Sequence, residues 1–219
     1  MPPSIEQRVA VYAALADPVR LRIVDELATS DRSPRELAEW LQIPSNLLAH
    51  HLDVLGDAGI IVRTHSSGDG RRRYVRLIAG ALGGAWQPPR MEPQPALFVC
   101  SQNSARSQLA AALWQRECGR DGLSAGTHPA QRVHRGAVAA ATRAGLDLGS
   151  SAPRHIEEVA ARPPITITVC DRAHEELPGS EHWLHWSIPD PVEVGSAHAF
   201  DDVISELGRR MRLLLGSRG

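Results

Sequence analysis

The stretch LFVCSQNSARSQL, residues 97–109, closes an apolar run on Cys100, passes through five residues and then opens a helical segment at Arg106-Ser107. A short buried strand feeding a polar turn and a helix N-terminus makes a cradle for a tetrahedral oxyanion. Backbone N–H groups and the positive end of the helix dipole converge there on one point. The same field favours the thiolate of a cysteine at the strand end, so Cys100 is expected to ionise near neutral pH. Arg106 closes the cup with a planar fork that matches two oxygens at once. A lone cysteine at a strand end is ordinarily core. A nucleophile, an anion socket and a charge clamp within seven residues, with Asn103 and Ser107 as polar supports, argue for chemistry instead.

This segment resembles the phosphate loop of the low-molecular-weight protein tyrosine phosphatases and of the arsenate reductases that share their fold. The resemblance extends over the C-terminal half of the chain. It implies an oxyanion site built from Ser101, Gln102, Asn103, Ser104, Ala105, Arg106 and Ser107. Gln102 is a departure, since many members carry Gly at that place.

Downstream, strand and helix alternate. Ala96–Val99 reads as a strand, Ser107–Glu117 as a helix, Leu123–Ala125 as a short strand and Val133–Ala144 as a helix. The apolar run Ile165–Val169 follows, then a strand near Leu184–Ile188 and a last helix over Ala199–Leu215. Such alternation predicts a parallel sheet covered on both faces, here of four strands, with ligands at the strands' carboxyl ends, where Cys100 lies. Asp190-Pro191 matches the general-acid Asp-Pro of the resembled family; a carboxyl there supplies the proton that an expelled oxygen needs. Cys170 closes ITITVC at the same face. In thiol-coupled arsenate reductases a cysteine at this place resolves the arsenic adduct, which makes Cys170 the fourth catalytic candidate beside Cys100, Arg106 and Asp190. The third cysteine of thioredoxin-coupled members is missing from DRAHEELP. The implied reductant is therefore a small thiol or a glutaredoxin-like partner, with no tightly bound cofactor. Cys118, late in a helix, reads as core.

Upstream, Ile5, Val9, Tyr12 and Ala13 share one helical face. Asp17-Pro18 is an N-cap followed by proline in the first helical position, with Leu21, Ile23, Val24 and Leu27 as the expected buried stripe. Ser33-Pro34-Arg35-Glu36 is a capping box, and a further helix runs from Ser45 to Leu55 after the break at Gln42-Ile43-Pro44. IIVRTHSSGDGRRRYVRL, residues 60–77, is a hairpin signal. Short helices followed by a hairpin form a winged helix-turn-helix. ALADPVRLRIVDEL and LAHHLDVLGDAGII resemble the ArsR-type repressors over about the first eighty residues. On that pattern Ser45, Asn46, Leu47 and His50 face base edges in the major groove, while Arg63, Arg71, Arg72 and Arg73 neutralise phosphates. His50 and His51 point about 100° apart on a helix and do not share a metal ion unaided. No cysteine precedes Cys100, so the metalloid site that some relatives carry in the helix reading PRELAEW is not expected.

The organisation expected is a DNA-binding domain over residues 1–80, a Gly/Pro-rich linker over 81–95 and the α/β domain over 96–219. The 219 residues suffice for two domains, and a formal charge of -1 offers no global attraction to nucleic acid, so DNA contact rests on the wing. Three scattered cysteines make no disulfide framework, and neither a membrane span nor a secretory leader is read. A cytoplasmic homodimer on a double-stranded operator is expected. The sequence supports a transcriptional repressor of an arsenic-resistance operon carrying a thiol-dependent arsenate reductase. Two alternatives stay open: a regulator that senses an oxyanion or metalloid without turnover, and a tyrosine phosphatase with a vestigial helix-turn-helix. Few aromatic residues stand near the site, with Val192 and Glu193 after Asp-Pro, which favours arsenate over an aryl phosphate.

Overall fold

The computed structural model describes residues 4–78, 80–82 and 86–216. The chain divides into two compact units, Met1–His65 with Gly70–Pro89, and Ser66–Asp69 with Arg90–Gly219. Residues 79 and 83–85, within the stretch read as domain tail and linker, lie outside the described residues.

The first unit is helical with a β-hairpin. Helix α1 (Ile5–Leu15) starts at a capping box between Ser4 and Gln7. Asp17 caps α2 (Pro18–Thr29) by accepting from the N–H groups of Val19 and Arg20 at 2.8 and 3.0 Å. Ser33 and Glu36 form the reciprocal box that opens α3 (Pro34–Leu41). Gln42 then takes a left-handed conformation, φ 56°, and turns the chain into α4 (Ser45–Asp57). Strands β1 (Ile61–His65) and β2 (Arg73–Leu77) pair antiparallel from Ile61↔Leu77 to His65↔Arg73. Ile23, Val24, Leu27, Leu37, Leu48, Leu52 and Leu55 form the core with Tyr74 and Val75.

Two apolar stripes behave differently from their sequence pattern. Leu21 is 40% exposed, so it falls outside the buried stripe in which it was expected. On α1 only Ala14 is buried, while Ile5, Val9 and Tyr12 stand exposed. Periodicity identifies a shared face but not what covers it.

The second unit is built on a four-stranded parallel sheet of order β4-β3-β5-β6. Its strands are β3 (Ala96–Cys100), β4 (Gly122–Gly126), β5 (Ile165–Thr168) and β6 (Leu184–His185). Every residue of the central strand β3 is buried, as a run without polar alternation requires of a strand covered on both faces. Helix α5 (Arg106–Cys118) packs on β3 and β4, and α9 (Ala197–Leu215) packs against α5 and α6 (Arg135–Arg143). Phe98 anchors the core between Trp114 and Trp186, with ring centroids 5.6 and 6.1 Å away. The strand expected near Leu184–Ile188 is shorter: after Trp186 donates to Thr168 O at 2.8 Å the chain leaves the ladder. Two short helices escape the sequence reading, α7 (Asp171–Glu176) and α8 (Pro191–Val194), each too brief to show a period. No helix among the described residues is long and apolar enough to cross a membrane.

Candidate active site

Cys100 ends β3 and Arg106 starts α5, so the five intervening residues must reverse the chain over the sheet edge. The carbonyls of residues 100–104 are all tied outward. Thr127 N–H donates to Cys100 O, His128 to Ser101 O, Ala130 to Gln102 O and His134 to Ser104 O, at 2.8–3.2 Å. Gln108 Nε2 donates to Asn103 O at 3.0 Å. In a trans peptide the N–H points opposite to the C=O, so the amides of residues 101–105 turn to the other side. There Asn103 N–H donates to Cys100 Sγ at 3.2 Å. Helix α5 opens without a side-chain cap, since its N-cap residue is Ala105, which leaves its dipole end to an anion.

The turn is closed by Asn103, which is fully buried and left-handed at φ 48°. Its Nδ2 donates to Ser107 Oγ at 2.8 Å, and its Oδ1 accepts from Arg154 N–H at 3.0 Å. Ser107 Oγ in turn lies 3.0 Å from Cys100 Sγ. Gln102, the departure noted in the sequence, is exposed and does not adopt positive φ; the demanding conformation falls one residue later on Asn103. Gly126 supports the turn from β4. A Cβ there would sit 2.6 Å from Ser101 O and 3.0 Å from Asn103 N.

Arg106 is 6% exposed; its guanidinium donates to Ile188 O at 3.0 Å and to Asp190 Oδ2 at 2.5 Å. Burial works against its charge, yet the sulfurs of Cys170 and Cys100 and the Asp190 carboxylate outweigh it and hold the group above its usual range. Asp190 also caps α8 through Val192 N–H at 3.0 Å. Cys170 is buried at the N-cap of α7, 3.8 Å from Ser101 Oγ. Burial pushes its thiol up, opposed by the Arg106 charge. The structure thus brings Cys100, Arg106, Asp190 and Cys170 to one end of the sheet, with residues 101–107 between them. Cys118 lies apart, its thiol donating to Trp114 O at 3.0 Å in the core.

Sequence reading missed Gln108, Gly126 and Arg154, which shape the cup from outside it. It also missed Thr168, His174 and His185 behind Cys170. None carries a local signal, because each acts through a contact distant in the chain.

In the first unit, Ser45, Asn46, Leu47 and His50 are exposed on the opening turns of α4. Arg71 and Arg72 are exposed between the strands, and Arg73 opens β2. Arg63 is ion-paired with Asp53 of α4 at 2.8 Å, so a phosphate must compete for it. His50 and His51 diverge as expected, the first exposed and the second buried.

Residues 96–218 match the family model described as low molecular weight phosphotyrosine protein phosphatase, and residues 15–64 match a helix-turn-helix domain model. Among curated relatives, the arsenate reductase of Halalkalibacterium halodurans is 29% identical over 127 residues, covering 55% of this chain and 88% of that protein. The HTH-type transcriptional repressor SmtB of Mycobacterium tuberculosis is 41% identical over 64 residues, covering 29% of this chain and 45% of the repressor. A Halobacterium salinarum relative is likewise spanned over only 46% of its length. A solved structure described as an arsenate reductase in the phosphate binding state is 25% identical, covers 54% of this chain and 94% of its own, and superposes with a TM-score of 0.48.

Proposed function

Through residues 96–218 the chain belongs to the low molecular weight phosphotyrosine protein phosphatase family, and from that premise we propose a DNA-binding repressor that carries a thiol-dependent arsenate reductase. The observation that carries the enzymatic half is a second buried thiol beside the turn that joins Cys100 to Arg106. Cys100 sits under the Asn103 amide and beside Ser107, and Cys170 lies 3.8 Å from Ser101 Oγ of the same turn.

Arsenate, a tetrahedral oxyanion, fits a ring of amides, an open helix end and a buried arginine. Arg106, which holds Asp190 in the free site, grips the arsenate oxygens, and Asp190 acts as the acid in its protonated form. Cys100 thiolate attacks As(V); an S–As bond forms, an As–O bond breaks and Asp190 gives the leaving oxygen its proton. Cys170 then gives its thiol proton to an arsenic-bound oxygen as its sulfur attacks Cys100 Sγ. The S–S bond forms and the S–As bond breaks, leaving its electron pair on arsenic, which departs as arsenite. Two thiols are oxidised as As(V) becomes As(III). A small thiol or a glutaredoxin-like protein returns the two electrons to the disulfide.

The helix-turn-helix half supplies operator binding through α4 and the wing, with a homodimer as the working form; the name of the Mycobacterium tuberculosis relative, an HTH-type transcriptional repressor, supports repression. Metalloid or oxyanion chemistry at Cys100 then shares a chain with the DNA reader.

The test is arsenate turnover with several thiol donors by wild type, Cys100→Ala and Cys170→Ser, beside hydrolysis of p-nitrophenyl phosphate. Arsenite release that needs both cysteines supports the reductase. Phosphate-ester hydrolysis that ignores Cys170, without arsenite, makes the unit a phosphatase. Oxyanion binding without either turnover leaves a sensor.

A further inference from the structure

Behind Cys170 lies a buried polar chain for which the steps above have no use. Thr168 of β5 and Asp171 of α7 flank the cysteine, two residues before it and one after. His185 of β6 reaches both. Its Nδ1 lies 2.9 Å from Thr168 Oγ1, and its Nε2 lies 3.1 Å from Asp171 Oδ1. One imidazole therefore spans the bend that carries the thiol. His185 and Thr168 are fully buried, and Asp171 is 2% exposed. His174 stacks on His185 with centroids 4.2 Å apart and 14° between planes, and its Nδ1 lies 3.0 Å from the same Thr168 oxygen.

Proton accounting shows how specific the arrangement is. Thr168 has one hydroxyl hydrogen, so at most one of the two ring nitrogens beside it accepts from it, and the other must carry its own hydrogen. Asp171, as a carboxylate, accepts from Nε2–H of His185. Leu184 O, 3.3 Å away, is a further acceptor for that one hydrogen, so the hydrogens of both rings are set by where the threonine sends its own, and burial makes any mismatch costly. An apolar residue would fill the same space without these constraints.

We propose that His185, through Thr168 and Asp171, is a positioning residue that holds Cys170 where its sulfur reaches Cys100. This deepens the reductase reading and rests on it. The Cys170 sulfur is held loosely, accepting from Ala173 N–H at 3.4 Å with Ser101 Oγ 3.8 Å away. Its backbone is held by His174 N–H on Cys170 O at 3.2 Å and by Val169 N–H on Val99 O at 2.7 Å, and the side chains of Thr168 and Asp171, joined through His185, add an anchor on each side of it. A resolving thiol must approach the Cys100 sulfur in line with the bond to arsenic, and misplacement by about 1 Å costs such a step about a hundredfold.

The experiment compares wild type with His185→Ala, His185→Gln and His185→Asn in the full chain. One readout ignores Cys170: the phosphate concentration that half-protects Cys100 from iodoacetamide. The other requires it: the single-turnover rate of arsenate-dependent Cys100–Cys170 disulfide formation, followed by acid quench and mass spectrometry. The expected result is phosphate protection within about twofold of wild type, with disulfide formation at least tenfold slower in His185→Ala. Gln, which reaches toward Asp171, and Asn, which reaches toward Thr168, each keep one anchor and give intermediate rates. They also carry the test if the alanine variant does not fold. Unchanged disulfide rates overturn the inference. Loss of both readouts together overturns it too, by showing a role in stability alone. Absence of the disulfide in wild type would refute the reductase reading and this inference with it, and is told apart because no variant is then needed.

Discussion

Asn103 is where the cup is most exposed to a single substitution. Replacing it with alanine removes the donor to Ser107 Oγ and the acceptor for Arg154 N–H, and places a Cβ residue without a polar side chain at φ 48°. A part-buried donor left without its acceptor costs about 1–3 kcal/mol. A left-handed backbone in alanine adds about 1 kcal/mol, where asparagine and glycine are tolerated. Together these predict a loss of about 3 kcal/mol for Asn103→Ala. With a urea dependence of about 2 kcal/mol per M, the unfolding midpoint should fall by about 1.5 M. Trp114 and Trp186, both buried in this unit, report the transition by fluorescence. Asn103→Gly loses the same hydrogen bonds without the strain, so it should be more stable than the alanine variant by a fraction of about 1 kcal/mol. Both variants should lose phosphate protection of Cys100, because the amide at 3.2 Å from the sulfur is no longer held. An alanine variant within about 0.5 kcal/mol of wild type with protection intact would refute the assignment of Asn103 as the closure of the turn. Equal stability of the alanine and glycine variants would refute the part given to its backbone.

Three further outcomes follow from the same geometry. Gly126→Ala sets a methyl 2.6 Å from Ser101 O, a backbone atom that yields only if the loop moves; it should cost about 1–3 kcal/mol and abolish phosphate protection of Cys100, checked by urea melts and alkylation. Burial opposes the charge of Asp171, but the hydrogen bonds it accepts from His185, Ser67 and Ser187 bring its carboxyl down to about 2 from 3.8. A carboxyl lowered on folding contributes stability that is full above its unfolded value and is lost as pH falls through the folded one, here about 2 kcal/mol vanishing between about pH 4 and pH 2. Asp171→Asn should flatten that part of the acid-unfolding curve. In the first unit, Arg71→Ala should weaken binding to all duplexes alike and reduce the magnitude of the log–log salt slope by about 1, measured by fluorescence anisotropy; a change confined to one sequence would make Arg71 a base reader instead.

What the sequence made legible is what its chemistry keeps local. Cys100, the five-residue turn, Arg106 and the helix that follows lie within one strand-turn-helix, and the capping residues Asp17 and Ser33 act within three positions of themselves. The alternation of apolar runs with helical segments likewise forecasts a parallel sheet, because a crossover needs a helix between strands. The hidden parts all need a partner from elsewhere. Nothing in SQNSA says that the carbonyls of Ser101, Gln102 and Ser104 will be held by His128, Ala130 and His134, yet that tether is what turns the amides toward Cys100. Gln102 draws attention as a departure from glycine, whereas the left-handed residue is Asn103, selected by the backbone of Arg154 some fifty positions on. Arg63 reads as a free cation until Asp53 on a different element is found beside it. His185 reads as one polar residue in a strand until Thr168 and Asp171 are seen on its two nitrogens. A chemical motif can therefore be read from spacing, but the groups that aim it are recognised only once the chain has closed around them. That is why Asn103 and His185, rather than Cys100, are the informative residues to change.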